Sequence, residues 1–173
     1  VHNTKIPFTY KLPDQMNPRY SLPEIERRWL AIPHLLPDVS GLQTQHIQDR
    51  YLDQTRMRLR KMTGQGEPVY KLCKKYGKVS AISEPITNIY LSASEYQVFA
   101  ALPGKELIRE RFTFSFDGVN YSINRLVAQT GPIIVEAEFA SEAAAWACLP
   151  PPCCGQDISH DPQHEAIHWA QQV

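Results

Sequence analysis

Glu24-Ile25-Glu26-Arg27-Arg28-Trp29-Leu30 is the stretch that decides the fold. At a strand's period of two it places Glu24, Glu26 and Arg28 on one face and Ile25 on the other, with Ile25 and Trp29 as its packing residues. Carboxylates two residues apart repel each other, and a cation, metal or ligand against their face relieves that repulsion most simply. A second pair of this kind, Glu136-Ala137-Glu138, lies in an equally strand-like run from Ile133 to Phe139. The two acidic strands are expected to meet, with basic strands facing them across a polar cavity.

Basic strands with the same alternation lie between them. Arg56, Arg58 and Arg60 share one face of the run that ends at Met62, with Met57 and Leu59 on the other. Lys71 and Lys75 share a face of Val69 to Lys75, and Arg109 and Arg111 share a face of Leu107 to Phe116. A solvated basic edge would also explain each run singly; their repetition favours a basic lining. Asp117-Gly118 reads as a hairpin turn into Val119 to Leu126, and Thr63 to Pro68 as another turn. Ser83 to Tyr90 reads as a strand broken or edged by Pro85. Ser92 and Ser141 cap two short helices, the first carrying Tyr96, Phe99 and Leu102 towards a core. A last helix is predicted over His164 to Gln172. About seven or eight strands joined by hairpin-length turns point to antiparallel pairing and closure into a barrel. The fold class is therefore α+β: an antiparallel β-barrel with a charged lumen and a few short helices outside. No glycine-rich loop links a strand to a helix, which argues against a Rossmann arrangement.

The totals agree with one such domain. The 173 residues are 43% hydrophobic, and 18 Lys and Arg balance 18 Asp and Glu, so no global charge calls for nucleic acid or an acidic membrane. No run is apolar enough to span a bilayer, and Val1 to Lys11 lacks a signal peptide's apolar centre, so a cytoplasmic location is expected. Residues 1–23, with Pro7, Pro13, Pro18 and Pro23, read as an extended arm ahead of a domain at 24–173. Cys73, Cys148, Cys153 and Cys154 form no disulfide framework and read as small core thiols; a zinc site with His160, His164 or His168 lacks CxxC spacing.

Four carboxylates, Glu24, Glu26, Glu136 and Glu138, suit a hard divalent cation such as Mg²⁺ or Mn²⁺. Arg28, Arg56, Arg58, Arg60, Lys71, Lys75, Arg109 and Arg111 suit phosphate oxygens. A polyanion among the bases with one phosphate on the metal satisfies both, and metal-activated water would then hydrolyse a phosphoanhydride. Internal pairing of about a dozen charges for stability alone is energetically poor.

The ordered set resembles the triphosphate tunnel metalloenzymes of the CYTH superfamily. Glu24-x-Glu26-x-Arg28 resembles their ExExK signature, Arg58-x-Arg60 their basic strand, Lys75 their strand lysine, Arg109-x-Arg111 their KxR and Glu136-x-Glu138 their late ExE. Asp157-Ile158-Ser159 resembles their closing Glu-Val-Thr. The resemblance implies an eight-stranded tunnel that binds a triphosphate-containing small molecule and one or two divalent metals, with Glu24, Glu26 and Arg28 at the chemistry. Its members hydrolyse inorganic, thiamine or nucleoside triphosphates, and one branch cyclises ATP; the His-Phe pair common ahead of the cyclase's first strand is replaced by Tyr20-Ser21-Leu22-Pro23. Two departures bear on function. Arg28 replaces a lysine, and Tyr121-Ser122-Ile123-Asn124 stands where the family carries an ExD pair, so two negative charges are missing. A triphosphate-binding or regulatory module with weakened turnover is the alternative those departures imply.

Overall fold

The computed structural model describes residues 18–64, 66–127 and 130–172. The sequence-predicted arm lies mostly outside them, as does Gln65 of the predicted turn; Leu22 and Pro23, assigned to that arm, open the first strand. Ten strands follow: β1 (Leu22–Ala31), β2 (Thr44–Leu52), β3 (Met57–Thr63), β4 (Val69–Lys75), β5 (Ser83–Leu91), β6 (Gly104–Phe116), β7 (Val119–Leu126), β8 (Ile134–Glu138), β9 (Cys154–Asp157) and β10 (Gln171–Gln172). Helices α1 (Ala93–Ala100) and α2 (Glu142–Ala147) lie between β5 and β6 and between β8 and β9.

Strands pair in the order β6-β2-β3-β4-β5-β1-β8-β7, and β7 returns to β6, so eight antiparallel strands close on themselves. Closure leaves these walls no open edge to aggregate. β9 adds to β1 and β10 to β6 outside the ring. The two acidic strands are neighbours, Glu26 opposite Glu138 and Arg28 opposite Glu136. The Asp117-Gly118 turn has φ of 47° and 73°, the left-handed pair that a two-residue hairpin requires, and Gly118 supplies the second without a Cβ penalty.

The packing is inside out. Leu59, between Arg58 and Arg60, points outward into a cluster with Leu52, Leu72 and Tyr96 that α1 covers. Ser92 caps that helix through a full capping box with Glu95. The larger cluster, Trp29, Phe112, Tyr121, Ile123, Val135 and Ala137, lies outside the β1-β8-β7-β6 wall, with Leu36, Val39, Leu42 and Cys148 packed on it. Trp29, 1% exposed, is the largest side chain there. Trp29→Ala is expected to cost about 3–5 kcal/mol in denaturant unfolding, with substrate affinity of the folded fraction unchanged because the indole faces away from the lumen.

Three expectations are corrected. Pro85 does not break its strand: β5 runs through it opposite Pro23, and the Pro85 carbonyl accepts from the Tyr76 N–H at 3.1 Å. Leu102 lies beyond α1 and stays 45% exposed. His164 to Gln172 is not an α-helix but two 3₁₀ turns, Pro162–His164 and Ala166–Trp169, followed by β10. The interruption is Glu165, whose backbone is extended (φ −69°, ψ 136°) while its side chain reaches into the barrel.

Candidate functional site: a charged tunnel

Because alternate residues of each strand face inward, closing the ring collects the period-two charges in one cavity of about 480 Å³. Glu24, Glu26 and Arg28 enter from β1, Arg58 and Arg60 from β3, Lys75 from β4, Arg109 and Arg111 from β6, and Glu136 and Glu138 from β8. Arg56 also lines it but is not on β3; it precedes that strand and is exposed, its Nη1 donating to the Tyr76 carbonyl at 2.8 Å. Lys71 is not brought in: its ammonium lies over the exposed Tyr90 ring, 4.8 Å from the centroid.

One wall is acidic. Lys75 Nζ donates to Glu24 at 2.8 Å and lies 3.4 Å from Glu84. Burial would raise the Glu24 pKa, but Lys75, Arg58 and Arg60 outweigh it and hold the carboxyl below its ordinary value. Glu136 is lowered likewise against its burial, by Arg111, Arg109, Arg28 and Arg60. Glu26 goes the other way: burial, then repulsion from Glu24 and Glu136, push it up to about 7. Its ion pair with Arg28 Nε is long, 3.6 Å.

The opposite wall is basic and is organised by Asp49, which the sequence reading did not single out. Asp49 is fully buried on β2 and accepts from Arg60 Nε at 2.6 Å, Arg60 Nη2 at 2.9 Å and Arg109 Nη2 at 2.7 Å, with Arg58 Nε at 3.7 Å. Its neighbours at two residues' distance, Ile47 and Tyr51, carry no charge, so alternation gives no sign of it; the one available sign is the cross-strand register with Arg60. Glu84, Lys78 and Glu165 are further lining residues without an alternating partner in sequence. Glu165 accepts from Arg28 Nη2 at 3.0 Å and lies 3.2 Å from Lys78 Nζ.

Ser122 and Asn124 sit beside the acidic wall, Ser122 opposite Glu136 in register. Asn124 bridges the Arg111–Glu136 ion pair: its Oδ1 accepts from Arg111 Nε at 2.9 Å, and its Nδ2 donates to Glu136 at 2.9 Å. Outside the lumen, the Asp157-Ile158-Ser159 segment clamps β1. Asp157 pairs with Arg27 at 2.7 Å, the Ile158 N–H donates to the Arg28 carbonyl at 2.8 Å, and Ser159 Oγ accepts from the Arg28 N–H at 3.0 Å.

Among the described residues no three His, Cys, Asp or Glu side chains are gathered, as they stand, into a metal cage. The donor chemistry nevertheless fits a hard divalent cation. Glu26 carries a destabilised charge between Glu24 and Glu136, and the cations on those two are side chains that a bound polyanion would draw away. Three buried guanidinium nitrogens, Nε of Arg28, Arg58 and Arg109, have no hydrogen-bond partner. All three belong to residues lining the cavity.

A closed antiparallel barrel with a lumen divided into acidic and basic walls defines the class: a β-barrel tunnel lined by charge. In fold and in the order of its charged strands the chain is similar to the CYTH-type triphosphate tunnel proteins. No family model matches it. It is similar to an inorganic triphosphatase of Nitrosomonas europaea, 27% identical over 149 residues that cover 82% of this chain and 93% of that protein. The crystal structure of an inorganic triphosphatase superposes with a TM-score of 0.57 at 23% identity, over 87% of this chain and 95% of its own. A Pyrococcus horikoshii protein superposes at 0.53 and 16% identity, over 70% and 80% of the two chains. A candidate adenylate cyclase of Bacillus halodurans superposes at 0.51 and 17%, over 73% and 86%. Among the described residues, no helix is long and apolar enough to cross a membrane.

Proposed function

We propose that the chain hydrolyses a triphosphate, inorganic triphosphate first among candidates, with Mg²⁺ or Mn²⁺ held by Glu24, Glu26, Glu136 and Glu138. The observation that carries this is the set of unpartnered guanidinium nitrogens on three residues that line the cavity, Arg28 beside the carboxylates and Arg58 and Arg109 across from them. Each such buried donor costs about 1–3 kcal/mol while unsatisfied, and phosphate oxygens are the ligand that satisfies several at once. The similarity to an inorganic triphosphatase supports the same substrate class.

Arg58, Arg60 and Arg109 would seat one end of the chain of phosphates, leaving the other against the acidic wall. Arg28, Lys75 and Arg111 would exchange carboxylate partners for phosphate oxygens, freeing Glu24 and Glu136 to turn to the cation. Lys75 stays an ammonium throughout, since burial lowers its pKa less than Glu24 and Glu26 raise it. The metal, when bound, would polarise a phosphoryl oxygen and lower the pKa of the attacking water. Substrate is a small triphosphate rather than nucleic acid or a membrane surface, and the expected location remains cytoplasmic, with all four cysteines free.

Purified protein with inorganic triphosphate and Mg²⁺ or Mn²⁺ should release phosphate, and EDTA or Glu24→Ala should return release to background. Release that matches the Glu24→Ala control sinks the proposal. The binding-module reading has its own observation, Ser122 and Asn124 in place of two carboxylates, and is favoured by calorimetric triphosphate binding without turnover. Cyclic AMP formed from ATP, resolved by chromatography, would favour the cyclase instead.

A further inference from the structure

We infer that Asp49 is a positioning residue that pre-forms the phosphate seat by holding Arg58, Arg60 and Arg109 in one orientation; this rests on the triphosphate reading above. Charge partition within the lumen is the starting point. On the acidic wall every cation meets at least one carboxylate of its own: Lys75 with Glu24 and Glu84, Arg28 with Glu26 and Glu165, Arg111 with Glu136. On the opposite wall Arg58, Arg60 and Arg109 share Asp49, their sole acidic partner among the described residues. Around these three guanidinium groups positive charge exceeds negative.

The geometry shows how one carboxylate serves three arginines. Asp49 lies opposite Arg60 on β3, and the fork of that guanidinium takes both of its oxygens. Arg109, from β6 on the other side, reaches the second oxygen through Nη2 alone, so its Nε stays unpaired. Arg58 approaches only to 3.7 Å, beyond hydrogen-bond range, and its Nε is also unpaired. Asp49 therefore pins the guanidinium groups without using up their donors. Three guanidinium groups this close would repel and splay without it, and each rotamer fixed in advance is ordering that substrate need not impose. Stability alone is a poor reason for the arrangement, because well-packed apolar residues of similar volume often replace a buried ion cluster at no loss.

Calorimetric titration of inorganic triphosphate into wild type, Asp49→Asn and Arg60→Lys tests this, with melting curves and steady-state kinetics on each. Asp49→Asn keeps the shape and removes the charge; Arg60→Lys keeps the charge and removes the fork. Both should bind triphosphate about tenfold more weakly and show a matching rise in KM, and in Asp49→Asn, which touches no substrate, kcat should stay within about twofold of wild type. Unchanged or tighter binding by folded Asp49→Asn overturns the assignment, even with a lower Tm, since that is what a purely structural or purely opposing charge would give. If Asp49→Asn does not fold, wild-type affinity in Arg60→Lys overturns it instead. Should wild type bind triphosphate without hydrolysing it, the enzymatic reading fails while the affinity comparison still decides the role of Asp49.

Discussion

Glu26→Gln is expected to lose triphosphate hydrolysis by on the order of 100- to 1,000-fold while making the metal-free protein more stable at pH 8. The two effects have one origin. Burial, Glu24 and Glu136 raise the Glu26 pKa to about 7 in the fold, against an ordinary value of 4.5. Between those pH values the folded state binds more protons than the unfolded state, so stability falls as pH rises through the window and is flat above it. A glutamine resembles the protonated form and does not pay that cost. The full shift corresponds to about 3 kcal/mol. Because 24% of the side chain is exposed, solvent screening brings the expected gain to about 1–2 kcal/mol. Melting curves in EDTA should therefore coincide for wild type and Glu26→Gln near pH 4.5 and separate by several degrees at pH 8. The same glutamine removes a negative charge from the proposed cation site, so added Mn²⁺ should stabilise wild type more than the variant. Equal activity, or identical melting curves at pH 8, would remove Glu26 from the site.

The fold was legible because a charged lumen imprints its period on the strands that line it. Glu24-x-Glu26-x-Arg28, Arg58-x-Arg60, Arg109-x-Arg111 and Glu136-x-Glu138 each show charge on one face and packing residues on the other, and β1, β3, β6 and β8 all face the cavity as that pattern requires. Alternation says nothing of where a strand ends along the tunnel axis. Lys71 shares a face with Lys75 yet sits where its ammonium finds the Tyr90 ring, and Arg56 falls outside the strand its pattern seemed to extend. Asp49 stands alone on its strand, and its meaning comes from β3 and β6 on either side, which is information about register rather than composition. Glu165 is further removed: it reaches Arg28 across 137 positions of chain, and the contact goes with the extended backbone that interrupts the expected terminal helix.

Asn124→Asp is the substitution expected to change metal binding most, by about tenfold to a hundredfold in favour of the variant. Asn124 is 3% exposed and spends one amide atom on each member of an ion pair, accepting from Arg111 and donating to Glu136. An aspartate keeps the first contact and turns the second into two carboxylates in contact. Without metal, one of that pair must take a proton or repel the other, and the variant is expected to lose about 1–3 kcal/mol at neutral pH. The loss should shrink as pH falls, because protonating one carboxyl restores a donor to the Asn124–Glu136 contact. A divalent cation offers a second route to the same relief. Mg²⁺ or Mn²⁺ should therefore raise the Tm of Asn124→Asp by more than it raises wild type, and phosphate release should increase by about tenfold if the missing carboxylate limits water activation. Ser122, opposite Glu136, would remain a neutral neighbour and limit the gain. A variant that loses stability in EDTA and recovers none of it with metal would place the cation elsewhere in the tunnel, away from Glu136.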